Sequence, residues 1–141
     1  MLELARSLKK HDGVHWLGLF DQEITSSGLN ELIAALKSNK SLVHLDLGRN
    51  PIGDEGVKAL CQYLSSNKTI SAVYLWETGL TDEGAKEIER MLLKNRTIEI
   101  LDLNDNPNIS QGQKQTIAGL VKQGASRVPA SPRAGPIKLA Q

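Results

Sequence analysis

Apolar residues recur along this chain with a period of 28 residues. Four sets of equivalent positions, which we call columns, show this period. Two columns lie in predicted strands, one is a recurrent glycine, and one lies near the end of a predicted helix. Their members are Leu17, Leu45, Val73 and Leu101; Leu19, Leu47, Leu75 and Leu103; Gly28, Gly56, Gly84 and Gly112; and Leu36, Leu64, Leu92 and Leu120. Because four columns share one period, the chain is predicted to stack copies of one supersecondary unit.

Each unit is predicted to contain a short strand, a bend and a helix. The alternation at Leu45-Asp46-Leu47 indicates a half-buried strand. The ninth position (Gln22, Asn50, Thr78, Asn106) is predicted to bond backbone groups at the bend, and the thirteenth (Ser26, Asp54, Asp82, Ser110) to cap the helix. Glycine two residues later predicts a close approach of helix and strand, since glycine costs about 1 kcal/mol relative to alanine inside a helix. Helix ends are predicted near Asn39, Asn67 and Asn95, a residue type that tolerates the left-handed cap conformation.

Three segments follow from this pattern. Residues 14–125 are predicted to hold four repeats, at 14–41, 42–69, 70–97 and 98–125. Residues 1–13 are predicted to be the helix half of a partial repeat, so the array is either part of a longer one, which we favour, or capped by this helix. Polar Gln113 and Thr116 in the last helix predict a finished C-terminal end. Residues 126–141 are predicted to form a flexible, basic, proline-containing tail.

Composition and charge narrow the class of function. The net charge is +1, and removing the three cations of the tail from the 17 basic residues leaves 14 against 16 acidic ones, or −2, in the repeats. We therefore expect neither a nucleic-acid nor a membrane partner, and no apolar run has the length of a membrane span. The single cysteine, Cys61, excludes an internal disulfide and favours a reducing compartment, so a cytoplasmic location is expected.

Motifs that carry chemistry are absent from the sequence. It contains neither a glycine-rich phosphate loop nor a nucleophile elbow. His11, His15 and His44 are scattered in the repeat register, so they indicate no metal cluster. We expect no enzyme activity, no catalytic residues, no metal and no cofactor.

The repeat pattern resembles a known family. Leu42-x-x-Leu45-x-Leu47-x-x-Asn50-x-Ile52, followed by Gly56, Leu60 and Leu64, is similar to the leucine-rich repeat motif. The repeat length and the alternation at the ninth position resemble the ribonuclease-inhibitor-like subclass. The resemblance implies an α/β solenoid, a horseshoe segment with a parallel β-sheet on its concave face and helices on its convex face.

The candidate binding site is the sheet face that does not pack on the core. Alternation along each strand is predicted to direct the third, fifth and seventh positions of a unit to the concave side. Both tryptophans and the one phenylalanine occur there, and exposed aromatic residues often anchor partners. The candidate residues are Trp16, Phe20, His44, Asp46, Tyr74, Trp76, Asp102 and Asn104, with a mostly acidic rim of Asp21, Arg49, Glu77 and Asp105. Alternatively, Trp16 and Phe20 cover the first strand, or the aromatic rings stack on one another.

Three functions are compatible with this sequence. The favoured one is a module that binds a protein or peptide, with Asp46, Asp102 and Glu77 selecting a basic partner. The second is a GTPase-regulating protein, because the pattern resembles the Ran GTPase activator. The third is an incomplete or shortened array without an activity of its own, which predicts self-association through the uncapped N-terminal edge.

Overall fold

Strands and helices alternate along the whole repeat region. The structure, a computed structural model, describes residue 4, residues 6–8 and residues 13–125. In chain order the elements are β1 (Trp16–Gly18), α1 (Ser26–Leu36), β2 (His44–Asp46), α2 (Gly53–Leu64), β3 (Ala72–Tyr74), α3 (Asp82–Leu92), β4 (Ile100–Asp102) and α4 (Gln111–Ala125). The division into a partial repeat, four repeats and a tail stays a prediction, and residues 126–141 lie outside the described part of the chain.

The four strands form one parallel sheet in the order β1-β2-β3-β4. Each strand pairs with the next in the 28-residue register, so that Leu17, Leu45, Val73 and Leu101 lie side by side. Their side chains point toward the helices and pack in one core with the apolar residues of α1 to α4. This arrangement confirms the predicted α/β architecture. The opposite side of the sheet, which we call the open sheet face, carries its own small cluster around Trp16 and Tyr74.

The ninth position of the unit joins neighbouring repeats. The side chain of Asn50 accepts hydrogen bonds from the amides of Gln22 (2.9 Å) and Ile24 (3.0 Å), and it donates to the carbonyls of Leu19 and Leu47 (2.9 Å each). Asn50 is 1% exposed, so these backbone groups are satisfied away from water. The predicted bonding to the bending chain is thus confirmed, and it also reaches the preceding unit.

Asn106, two repeats after Asn50, makes the same set of hydrogen bonds. It accepts from the amides of Thr78 and Leu80 and donates to the carbonyls of Leu75 and Leu103. Thr78, at the ninth position between the two asparagines, bonds within its own unit, to Leu75 O at 2.7 Å. The alternation of Asn and non-Asn units therefore corresponds to an alternation of two kinds of junction.

Two of the four predicted N-caps are displaced by one position. Thr25 precedes α1 and accepts from the Gly28 amide, and Thr81 precedes α3 and accepts from the Glu83 amide. Asp54 instead lies in the first turn of α2 and caps the next helix, accepting from the amides of Thr81 (2.9 Å) and Gly84 (3.0 Å). The sequence could not show this, because a carboxylate in the first turn of one helix can equally reach the first turn of its neighbour.

Asp82 likewise accepts from the amide of Ser110, at 2.7 Å, in the following unit. Ser26 is the first residue of α1 and not its cap. Ser110 directly precedes α4 and accepts from the Gln113 amide at 3.3 Å, which is the predicted capping contact.

The predicted left-handed helix ends are wrong. Asn39, Asn67 and Asn95 do not have positive φ angles. Each uses its side-chain oxygen to accept the amides two and three residues later, as Asn95 does from Thr97 (2.7 Å) and Ile98 (3.0 Å). These side chains stabilise the loop from helix to strand, and Asn95 also donates to Leu64 O of the preceding unit.

The recurrent glycines do not mark an approach of helix to strand. A Cβ atom at Gly56 would overlap the side chain of Ile52, and one at Gly84 would overlap the Asp54 carboxylate. At Gly28 a Cβ would make an ordinary contact, and at Gly112 it would meet nothing within 4 Å. The close packing is therefore confined to α2 and α3. Gly56 packs against Ile52 of its own unit and Leu29 of the preceding unit, and Gly84 packs against Asp54 of the preceding unit.

The two ends of the sheet are covered unequally. Leu17 of β1 is fully buried and Leu8 is 1% exposed, although β1 is an edge strand. All three residues of β4 are half-buried. Among the described residues β4 is thus less buried than β1, and the finished C-terminal end stays a prediction. Self-association through the N-terminal edge stays a prediction.

Replacing Asn50 tests the junction between repeats. Asn50→Ala leaves two amides and two carbonyls, each buried or partly buried, without their side-chain partner. We therefore expect the free energy of unfolding to fall by about 3 kcal/mol. Gln22→Ala is the matched control, since Gln22 has the same place in its unit but bonds only nearby backbone carbonyls and is exposed. It should cost about 0.5 kcal/mol. Urea titration measures both, and equal losses would contradict the role assigned to Asn50.

Candidate functional site

The open sheet face carries two aromatic groups. The first, which we call the ring stack, consists of Trp16, His44 and Tyr74. The Trp16 ring lies 4.3 Å from that of His44 and 5.8 Å from that of Tyr74 between centroids, with interplanar angles of 21° and 29°. Trp16 is 7% and Tyr74 8% exposed. The alternative that the rings stack on one another therefore describes these three residues, of which Trp16 and Tyr74 are buried and His44 is half-buried.

Two polar atoms of the ring stack have no partner within the described residues. They are Nε1 of Trp16 and Nδ1 of His44, and both are buried. Burial lowers the pKa of His44, and the nearby carboxylate of Glu99 opposes this shift only in part. His44 is therefore neutral at pH 7, which suits an imidazole packed flat against an indole.

The second group, which we call the anchor pair, consists of Phe20 and Trp76. Their ring centroids are 6.2 Å apart at an angle of 42°, and both side chains are half-buried. The Trp76 indole lies directly against Gly48, where a Cβ atom would overlap it. Gly48 occupies the same column as Phe20 and Trp76. Gly48 is a further residue of this site, and its place between two aromatic residues in one column is the sequence signal that indicates it.

Asp46 holds the anchor pair in place through hydrogen bonds to Gly48 and Trp76. Its carboxylate accepts from the Gly48 amide at 2.9 Å and from the side chain of Trp76. Burial raises the pKa of Asp46, these two hydrogen bonds oppose the shift, and the charge of Asp102 adds to it. Because Asp46 is 4% exposed, its role in this structure is to orient Trp76 rather than to present a charge.

The remaining candidate residues lie near the β4 edge. Asp102 is half-buried and accepts from the Asn104 amide at 2.9 Å, as Asp46 does from Gly48. Asn104 is exposed. The structure thus brings Asp46, Phe20 and Trp76 together, groups Trp16 with His44 and Tyr74, and places Asp102 and Asn104 on the far strand.

The rim residues share an unusual backbone conformation. Asp21, Arg49, Glu77 and Asp105 have φ angles of 57°, 55°, 51° and 58°, the left-handed region that few non-glycine residues adopt. All four are exposed, and Arg49 Nε lies 3.5 Å from Glu77 Oε2. The rim is therefore acidic at Asp21 and Asp105, while Glu77 is paired with Arg49.

Other kinds of site are not found in the described part of the chain. No group of three or more His, Cys, Asp or Glu side chains there could hold a metal ion. Nor is any helix within it both long and apolar enough to cross a membrane. Cys61 is buried, and burial raises the pKa of its thiol to about 12, so it is an unreactive part of the core.

Comparisons with known proteins agree on the fold. A family model described as Leucine Rich repeat matches residues 38–61 and 94–110. The structure is similar to leiomodin-1 actin-binding site 2, with 21% sequence identity and a TM-score of 0.71 over 89% of each chain. It is also similar to the tropomodulin C-terminal domain of Caenorhabditis elegans, with 9% identity and a TM-score of 0.55 over 89% of this chain and 94% of that one. A search of curated proteins finds no match. The chain therefore has the fold of a leucine-rich repeat solenoid, and the ribonuclease-inhibitor-like subclass stays a prediction.

The pH dependence of stability tests the environment of Asp46. A folded-state pKa raised by burial means that the folded state holds this proton to higher pH, so stability is lost as the pH rises from the unfolded pKa to the folded one. Asp46→Asn keeps the hydrogen-bond acceptor without the charge. We therefore expect this variant to have a higher Tm than the wild type at pH 7 and a nearly equal Tm at pH 3.

Glu31→Gln is the matched control, because Glu31 is exposed on α1. Its Tm should follow that of the wild type at both pH values. Calorimetry of the three proteins measures the difference. If Asp46→Asn lowered the Tm at pH 7, the hydrogen bonds of the ionised carboxylate would stabilise the fold by more than the burial of its charge destabilises it.

Proposed function

We propose that this chain is a protein-binding module that receives a protein or peptide on its open sheet face. The observation that carries the proposal is the anchor pair. Phe20 and Trp76 are half-buried rings that lie against each other, and Gly48 and Asp46 fix the Trp76 indole. Rigid, partly exposed aromatic side chains contribute most to binding when a partner desolvates them.

The electrostatics of this face favour a basic partner segment beside the anchor pair. Asp21 directly follows Phe20, Asp102 lies in β4 and Asp105 follows β4. Acidic groups therefore lie on both sides of the two rings. Asp46 and Glu77, which the sequence also suggested as selecting groups, are engaged with Trp76 and Arg49. Selection of a basic partner would therefore rest on the exposed carboxylates of Asp21 and Asp105.

The structural neighbours supply the first partner to test. Leiomodin-1 actin-binding site 2 shares the fold with this chain, and its name states that it binds actin. Actin is accordingly the first candidate, and a reducing, cytoplasmic compartment is part of the same proposal. An inert, buried Cys61 is compatible with that compartment.

Alanine at the anchor tests the proposed surface. With actin as the probe, Trp76→Ala should weaken binding by about 2 kcal/mol, or roughly 30-fold in Kd, because an interface anchor is removed. Leu93→Ala is the matched control, since Leu93 is 62% exposed directly after α3, on the helix side of the molecule. It should leave the Kd unchanged. Isothermal titration calorimetry measures the affinities, and circular dichroism verifies that both variants fold.

Two results would count against the proposal. Equal affinities of Trp76→Ala and wild type would exclude the anchor pair as the binding surface. If Leu93→Ala alone lost binding, the interface would lie on the helix side of the molecule. If wild-type protein does not bind actin, actin is the wrong partner, and the same pair of variants then applies to partners identified by cross-linking.

A further inference from the structure

The sequence contains four Asn-x-Ser/Thr tripeptides, the acceptor pattern for N-linked glycans. They begin at Asn39, Asn67, Asn95 and Asn108, and none has proline at its middle position. The first three begin three residues after the ends of α1, α2 and α3, whereas the fourth lies between β4 and α4. A glycan would therefore meet different surroundings at the three repeated positions and at the fourth.

The repeated tripeptide has a structural cause. Its asparagine oxygen accepts two amides of the loop from helix to strand, as in Asn39, which accepts from Ser41 (3.0 Å) and Leu42 (2.9 Å). The hydroxyl two residues later bonds within or beside the same loop. Ser41 Oγ donates to Val14 O at 3.0 Å, and Thr69 Oγ1 accepts from the asparagine side chain of its own tripeptide at 3.4 Å. The acceptor pattern at these positions thus follows from the bonding of the loop.

The side-chain nitrogen that would carry a glycan is enclosed at Asn95. It donates to Leu64 O at 2.7 Å and to Asn67 O at 3.3 Å, both in the preceding unit. An N-glycosidic bond replaces one of the two hydrogens of this nitrogen, so one of the two hydrogen bonds would be lost. Asn95 is only 6% exposed, and a glycan is bulky. The saccharide would therefore have to displace part of the neighbouring repeat.

The other two repeated positions have the same conflict. Asn39 is 3% exposed, and its side-chain nitrogen donates to Leu8 O at 3.5 Å. Asn67 is half-buried and donates to the hydroxyl of Tyr63 at 3.1 Å, which in turn donates to Leu36 O at 3.3 Å. A glycan on either asparagine would therefore disturb contacts that join one unit to the preceding one.

The fourth acceptor has no such conflict. Asn108 is exposed, and its side chain makes no hydrogen bond within the described residues. Its backbone forms an isolated bridge to Thr81, and the Ser110 hydroxyl caps α4 by accepting from the Gln113 amide. Neither contact uses the Asn108 side chain, so a glycan there would extend into solvent and leave both contacts in place.

We propose that this fold accepts an N-linked glycan at Asn108 and that a glycan at Asn39, Asn67 or Asn95 prevents folding. Glycans are attached during translocation, before the chain has folded, so burial in the finished structure does not protect the three repeated asparagines. A chain that entered a glycosylating compartment would be modified at positions that the structure must enclose. The native structure then forms only outside such a compartment, which agrees with the cytoplasmic location proposed above and does not depend on the partner.

Variants of the full chain that keep a single acceptor test this proposal. Both carry Ser41→Ala and Thr69→Ala, which remove the first two acceptors and leave their asparagines in place. Adding Thr97→Ala leaves only the fourth acceptor, and adding Asn108→Gln instead leaves only the third. Each variant is fused to a secretion signal and produced in a eukaryotic cell. Circular dichroism of the same variants produced in the bacterial cytoplasm, without the signal, verifies that both sequences fold when no glycan is attached.

The measurement is glycan occupancy in the secreted, protease-resistant protein, determined by mass spectrometry. We expect occupancy at Asn95 to be at least tenfold lower than at Asn108, because chains modified at Asn95 do not fold and are retained in the cell. The retained fraction of the Asn95 variant should carry the glycan.

Two results would overturn the proposal. The first is secreted, protease-resistant protein with equal occupancy at Asn95 and Asn108, since the fold would then accept both glycans. The second is an unmodified Asn95 in the retained and the secreted protein alike, because the secretory route would then not modify this position at all. Neither result involves actin or the anchor pair, so the failure of this proposal is distinguishable from the failure of the proposed binding surface.

Discussion

The buried asparagine between repeats is the interaction on which this structure depends. A strand that bends sharply into a helix leaves backbone amides and carbonyls without regular partners, and in a stacked array these groups are enclosed on both sides. Asn50 and Asn106 each bond two backbone amides and three backbone carbonyls, and they do so across two units. These bonds join neighbouring units where the strands end, and they support the register in which the strands pair.

Capping reinforces the same coupling between units. Asp54 and Asp82 each lie in one helix and accept amides at the start of the next. No single repeat is therefore complete in its hydrogen bonding. Stability in such an array comes from interfaces between neighbours as well as from each unit alone, and a change at one junction affects the placement of side chains on both adjoining strands.

The sequence predicted the architecture well because the period of apolar residues directly reflects stacking. The columns of Leu45 and Leu47 predicted the strands and the core, and position nine predicted where side chains bond the bend. Caps were harder to predict, since Thr25 and Thr81 compete with neighbouring polar residues for the same amides. Accessibility could not be predicted at all. Alternation places Trp16 on the open sheet face, but only packing against His44 and Tyr74 determines that it is buried there.

Gly48 has a consequence for the thermodynamics of recognition. The indole of Trp76 fills the space that a side chain at position 48 would take, and Asp46 holds its nitrogen. A large aromatic side chain that already has one conformation loses little rotational entropy when a surface closes over it. A partner of this chain would therefore meet a preorganised anchor, and the entropic cost of immobilising that anchor would have been met during folding.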